Sequence, residues 1–235
     1  LFSFRKRVGP AELVFTDRHG GVSASPFNSL NLALADADSA ENRQQNLDIV
    51  LDRFGAGSDL AEMRQVHGRQ VAVMTGPGRP EADALVTTTA ELTLLVRVAD
   101  CVPVLMAAEQ GVIGAVHAGR QGLALGVAER AVARMRDLGA ETISAWLGPH
   151  ICGSCYEVPA DLQQLVGQQV PAAICVTRTG TPGLDLAAGL TAQLAGLGVE
   201  VHEVGGCTLE DENYYSFRRD GQWAGRQAGL IRMMT

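Results

Sequence analysis

Two rhythms of apolar residues run along the chain. Eight short runs are rich in β-branched residues and bounded by turn residues: ELVFT (12–16), QVAVM (70–74), LTLLVRVA (92–99), VPVLMAA (102–108), VIGAVH (112–117), TISAWLG (142–148), AAICVT (172–177) and VEVHEV (199–204). These predict strands. Elsewhere the apolar positions recur at helical spacing. Leu47, Val50, Leu51 and Phe54 share one face of a helix expected over 42–54, with Asp38 and Glu41 resembling a capping box and Gly55 as its stop. Leu123, Val127, Ala131, Met135 and Leu138 share a face of a second, near 121–138, which Gly139 stops. Further helices are expected just after Pro159, over 184–197, and near 224–233. Gln110-Gly111 lies between two strands and predicts a hairpin there. Strands and helices interleave around hairpins, which favours a mixed-sheet α/β or α+β fold over a purely parallel one.

No repeat, low-complexity tract or long linker divides the 235 residues, so one domain spanning 1–235 is expected. The segment from Asp17 to Ser39 is long and polar for a connection, and loops of that length are often functional. The net charge of −7 argues against a duplex nucleic-acid partner. No apolar run reaches membrane-spanning length, so no membrane partner is expected. No secretory signal is visible in a chain that starts at Leu1, and the five cysteines are scattered rather than arrayed for disulfides. These features predict reduced thiols and a cytoplasmic protein.

The hairpin matters for chemistry. With its turn at Gln110-Gly111, paired residue numbers sum to about 221, so His117 faces position 104 with Cys101 just beyond. A thiol and an imidazole that converge in this way serve two chemistries. An imidazole activates a thiolate nucleophile. Equally, thiolate and imidazole are zinc ligands, and three protein ligands leave one position open. His67 in RQVHGRQ is a candidate third ligand. Beyond His117, the residues AGRQG enter a helix, and a glycine turn at a helix start suits an anion. Cys152 and Cys155 form a C-x-x-C that reads as structural, or else as a redox or second-metal pair. The cytidine-deaminase signature, the P-loop, H-E-x-x-H and G-x-S-x-G are all missing.

Taken in order, the motifs TDRHGGVSASPFNSLNLA, QVHG, EADALVT, VADCVPVL, GAVHAG, LGPHICGSCYEV and YYSFRRDGQWAGRQAGLI cover nearly the whole chain. In them the sequence resembles the laccase-domain, or multicopper polyphenol oxidase-like, family. Members of that family are now described as zinc-dependent purine nucleoside phosphorylases that also deaminate adenosine. The resemblance implies a zinc site of His67, Cys101 and His117. It implies an α+β fold as well, a four-layer sandwich of mixed sheets flanked by helices like the catalytic domain of cytotoxic necrotizing factor. Two departures stand out. The family's usual HAGWRG is HAGRQG here, and the closing aromatics are Tyr214, Tyr215 and Phe217.

The activity this implies is phosphorolysis of adenosine, inosine and methylthioadenosine, together with adenosine deamination. A nucleoside and phosphate are the expected partners. Arg18, Arg120 and the turn at 118–122 are candidates for binding phosphate. Asp83 and Asp100 are candidates for substrate contact or proton handling, or Asp100 could orient a metal-bound histidine. Copper competes with zinc as the metal, since two histidines and a cysteine also suit a copper site. Five histidines without an H-x-H pair count against a multicopper oxidase. The same residues would also suit a Cys101/His117 hydrolase or a non-enzymatic metal-binding module. His150 and His202 carry no expected role, and the oligomeric state is left open.

Overall fold

The hairpin at the centre of the chain is built from β7 (Val102–Ala108) and β8 (Val112–Ala118). Its loop has three residues, Glu109 to Gly111, and Gly111 sits in the left-handed region at φ 77°. The register therefore pairs Pro103 with His117 and Val102 with Ala118. Paired numbers sum to 220 rather than 221, because the turn takes in Glu109. On each strand the side chains alternate between faces. The odd-numbered positions Leu105, Ala107, Ile113 and Ala115 join one core, and Val102, Val104, Val116 and Ala118 join another. Cys101 packs against the first of these cores.

The computed structural model describes residues 1–234 apart from 56 and 58. A five-stranded sheet contains β1 (Phe2–Val8), β2 (Ala11–Thr16), β3 (Leu60–Glu62), β6 (Thr93–Val98) and β13 (Gln227–Met233), in the order β1-β2-β13-β6-β3. A six-stranded sheet adds β4 (Val71–Val73), β5 (Ala84–Thr87), β9 (Ile143–Leu147) and β12 (Glu200–Glu203) to the hairpin, in the order β12-β9-β7-β8-β5-β4. Both are mixed: β3 runs parallel to β6, β4 to β5 and β12 to β9, with the other pairs antiparallel. A small ribbon pairs β10 (Ile174–Val176) with β11 (Pro182–Leu184).

Three apolar clusters set the layering. Leu13, Phe15, Leu94 and Ile231 of the first sheet meet Leu85, Leu105, Ile113 and Trp146 of the second. Val14, Leu95 and Leu230 turn the other way and pack on Val50 and Phe54 of α1 (Ala40–Phe54). The far face of the six-stranded sheet is covered by α3 (Val127–Asp137), α4 (Ala160–Gln169) and α5 (Leu186–Gly196). The layers thus run helix, sheet, sheet, helices, and the fold is the expected mixed α+β arrangement.

Several expectations are corrected. The segment near 224–233 is β13 at the middle of a sheet, not a helix. It is buried on both faces, and such a strand shows a continuous apolar run without the alternation that marks an exposed one. The helix near 121–138 is two, α2 (Arg120–Ala124) and α3, divided at Gly126 with φ 71°. A left-handed residue interrupts the helical path without losing the shared face, so Leu123, Val127, Ala131 and Met135 all stay buried. The cap of α1 is Ser39, whose hydroxyl accepts from the Asn42 N–H, rather than Asp38. The last helix, α6 (Phe217–Asp220), is a single turn.

The 17–39 connection is tied down by polar side chains. Asn46 on α1 is fully buried, donates to Ser23 Oγ and the carbonyls of Ser29 and Asn31, and accepts from the Val22 N–H. Ala33, Leu34 and Ala35 at its end reach the cavity described next.

Candidate active site

His67, Cys101 and His117 converge. One ligand atom from each lies within 4.8 Å of the other two. His117 comes from β8, Cys101 from the residue just before β7, and His67 from the connection between β3 and β4. Extended by one step, the register places Cys101 opposite Gly119, diagonal to His117. A Cβ at Gly119 would lie 2.7 Å from His67 Nδ1 and 3.0 Å from Cys101 Sγ, so the glycine leaves the room that the two donor groups occupy. The two imidazoles meet edge to face with centroids 4.7 Å apart.

One carboxylate organises both histidines. Asp83 is fully buried and accepts from His117 Nδ1 at 2.8 Å. It also accepts from the backbone N–H groups of His67 and Gly68, at 3.0 and 2.7 Å. These amide bonds hold His67 in the left-handed region at φ 58°, uncommon for a residue with a side chain. With Nδ1 of His117 engaged by Asp83, Nε2 is left for the site. Burial works against the Asp83 charge, yet the bonds from His117 and the amides hold its pKa below the ordinary value.

Burial also disfavours the Cys101 thiolate, but the His117 charge and the hydrogen bonds of both histidines outweigh it and bring the pKa down to about 6. His117 behaves reciprocally. Burial lowers its pKa, while the Cys101 thiolate and Asp83 raise it to about 9. Each charge thus favours the other, the thiolate of Cys101 and the imidazolium of His117. An ion here would displace the His117 proton and keep the thiolate.

The three groups open into a cavity of about 870 Å³. Arg120, Arg218 and Arg226 line it, and among the described residues no carboxylate forms a salt bridge with any of them. Arg97, also on the wall, is instead paired with the buried Glu62. Arg218 stacks over Tyr156 at 5.1 Å. Ile151, Leu34, Leu186 and the exposed ring of Phe217 supply apolar surface. A strongly acidic protein therefore keeps a positive, partly aromatic cavity beside a cluster of metal-type donors.

The other expected residues separate. Arg120 is in the cavity at the start of α2. Asp100 lines it too, at φ 87°, but its carboxylate accepts from Thr208 Oγ1 at 2.7 Å and from the Arg218 N–H at 2.6 Å. It positions the Arg218 segment rather than a ligand histidine. Asp83, expected to contact substrate, is outside the cavity lining and is spent on the histidines. Arg18 is also outside it. Its Nε donates to the Asn28 carbonyl and its guanidinium lies 4.5 Å from the Tyr215 ring centre. Sequence reasoning misses Tyr156, Arg218 and Arg226, of which Arg218 reaches the cavity from α6 and the other two from loops distant in the chain; the motif SFRRDG holds Arg218 but nothing in its spacing points inward. His150 and His202 lie elsewhere, His150 Nδ1 on the Gly148 carbonyl and His202 stacked on Trp146.

Comparison with known proteins matches residues 12–234 to the family described as Multi-copper polyphenol oxidoreductase laccase. The chain is 44% identical over 234 residues to Purine nucleoside phosphorylase ORF3 of Streptomyces griseus, covering 95% of each chain. It is 43% identical over 236 residues to Purine nucleoside phosphorylase SCO2081 of Streptomyces coelicolor, covering 97% of each. Its structure resembles the crystal structure of Neisseria meningitidis protein NMB0706 with a TM-score of 0.87 at 30% identity, over 99% of both chains.

Proposed function

We propose that this chain, which belongs to the Multi-copper polyphenol oxidoreductase laccase family, is a purine nucleoside phosphorylase that takes adenosine, inosine and methylthioadenosine. The carrying observation is the cavity itself, which three arginines, without a carboxylate partner among the described residues, line together with His67, Cys101 and His117. Names borne by the Streptomyces relatives support the same reading. In phosphorolysis a phosphate oxygen bonds to the ribose C1′ as the bond from C1′ to the purine nitrogen breaks, giving the free base and the sugar 1-phosphate.

Each part of the cavity has a task. Arg120, Arg218 and Arg226 bind and orient the phosphate dianion, since guanidinium matches its oxygens. Tyr156 and Phe217 supply aromatic faces for the purine. Asp100 keeps the Arg218 segment in place through the backbone N–H. Asp83 fixes the orientation of His117 and, through the amides, of His67. The donor set of one thiolate and two imidazoles fits zinc. Zinc held by His67, Cys101 and His117 would supply a Lewis acid. Adenosine deamination, in which water replaces the 6-amino group and ammonia leaves, is a second activity of this cavity.

The expected result is release of adenine from adenosine and of hypoxanthine from inosine that rises with phosphate and vanishes without it, read by chromatography of the products. Phosphate-independent inosine from adenosine reports the deaminase. Base release indifferent to phosphate contradicts the proposal.

One observation favours a second reading. Cys101, His117 and Asp83 stand in the order nucleophile, base and carboxylate, with the thiol pKa already near 6. A cysteine hydrolase would keep working once the metal is removed, whereas the phosphorylase reading needs Cys101 as a ligand. Copper oxidation of phenols fits less well. The cluster offers three ligands for one ion, and among the described residues the other metal-type cluster contains no histidine.

A further inference from the structure

A second group of soft ligands lies away from the cavity, and neither the catalytic reading nor the family comparison uses it. Cys152, Cys155, Cys207 and Glu210 each place one ligand atom within 4.8 Å of the others. We propose that these four residues bind a structural zinc ion that clamps together the two loops carrying the cavity wall.

The backbone supports this reading. Both halves of the group share one spacing, Cys-x-x-Cys and Cys-x-x-Glu. Each is folded as a tight turn: the Cys155 N–H donates to the Cys152 carbonyl at 3.0 Å, and the Glu210 N–H donates to the Cys207 carbonyl at 3.2 Å. The turn brings the first and fourth side chains of each half to the same side. The halves are then joined, since the Thr208 N–H donates to the His150 carbonyl at 2.9 Å and the Cys152 N–H donates to Cys207 Sγ at 3.4 Å. An amide aimed at a sulfur stabilises negative charge there. In a tetrahedral site with Zn–S bonds of about 2.3 Å the sulfurs stand roughly 3.8 Å apart, so an ion draws the group in by no more than about 1 Å.

Charge and ligand type point the same way. Three thiolates and a carboxylate around a divalent ion leave an excess of two negative charges. Arg178 lies against the group, donating to Cys155 Sγ at 3.0 Å and pairing with Glu210 Oε1. The other oxygen of Glu210, Oε2, faces Cys152 Sγ. A disulfide would use two of the thiols and give the carboxylate no part. Three soft ligands and one hard one suit zinc. Ile151 and Tyr156 flank the first turn and line the cavity, and Thr208 in the second holds Asp100. The ion would thus fix the part of the cavity wall that Ile151 and Tyr156 form.

The test uses reduced, anaerobic Cys101→Ser protein, in which the catalytic group has no thiolate. Cobalt(II) is added, and any sulfur-to-cobalt charge-transfer band then comes from the second group. The expected result is one cobalt taken up with a strong band, and loss of that band when Cys207→Ser is added. X-ray absorption at the zinc edge of the Cys101→Ser protein provides a reading that needs no further variant, with about three sulfur neighbours near 2.3 Å expected. Absence of the band, its survival unchanged in the Cys207→Ser background, or zinc bound only by nitrogen and oxygen would overturn the proposal.

Discussion

Asp83 is the residue on which the catalytic group most depends. It is fully buried; its Oδ1 accepts from both His117 Nδ1 and the His67 N–H, and its Oδ2 accepts from the Gly68 N–H. Asparagine in its place keeps the size but loses the charge and one acceptor. Asp83→Asn is expected to weaken metal binding by about 10–100-fold, measured by competition with a chelator. Unchanged affinity would mean that the histidines hold their positions unaided. Arg120 belongs to the substrate side. Loss of a charged hydrogen bond to phosphate costs about 1.5–3 kcal/mol, so Arg120→Ala should raise KM for phosphate roughly 10–100-fold with a much smaller effect on metal content. Equal KM for phosphate in both proteins would remove Arg120 from the site. In HAGRQG, compared with the pattern HAGWRG, Arg120 stands where tryptophan is usual and Gln121 where arginine is, so the departure moves the positive charge by one position, onto the cavity wall, without adding to it.

At the scale of elements, the hairpin carried the most legible information. Its two apolar runs and the Gln110-Gly111 turn placed Cys101 near His117, and the three-residue loop shifted the pairing by only one position. Asp83 and His67 were harder to place. The Asp83 contact to His117 needs β5 beside β8, and no short-range signal in the sequence announces that neighbour. β13 was misread for a related reason, because a strand in the middle of a sheet has no solvent face to impose alternation. β1 was missed because FSFRKRV puts Arg5, Lys6 and Arg7 in succession on an edge strand, where water covers them. Those charges have a partner. Glu12 on β2 is nearly fully buried and accepts from Arg5 at 2.9 Å and from Arg232 on β13 at 3.0 Å, with Arg7 further off at 3.4 Å. Burial raises its pKa, but the arginines prevail and the net shift is downward. A depressed carboxylate contributes stability above its unfolded pKa, about 4.3, and loses it as pH falls through the folded value. Glu12→Gln is therefore expected to cost about 1–2 kcal/mol at pH 7, with a smaller difference from wild type in acid, seen in urea denaturation at the two pH values. The same loss at both pH values would show that the charge of Glu12 does not contribute.

For the whole molecule, the two-sheet arrangement explains where the site lies. Odd-numbered positions of the hairpin point between the sheets, and at the open end that layer stops being apolar and presents Cys101 and His117. Loops from four other places then close around that end: the tail of the 17–39 connection, the His67 turn, the Ile151–Tyr156 turn and the Phe217–Arg226 segment. Positive charge gathers there against an overall charge of −7. The most direct test is elemental analysis of protein purified without added metal, wild type and Cys101→Ser side by side, each assayed on adenosine with and without phosphate. Zinc in the wild type together with phosphate-dependent adenine release is predicted. In the variant the ion held by His67, Cys101 and His117 and the adenine release should both be lost. Copper with phenol oxidation and no nucleoside turnover would contradict that account, as would phosphorolysis that persists unchanged in Cys101→Ser.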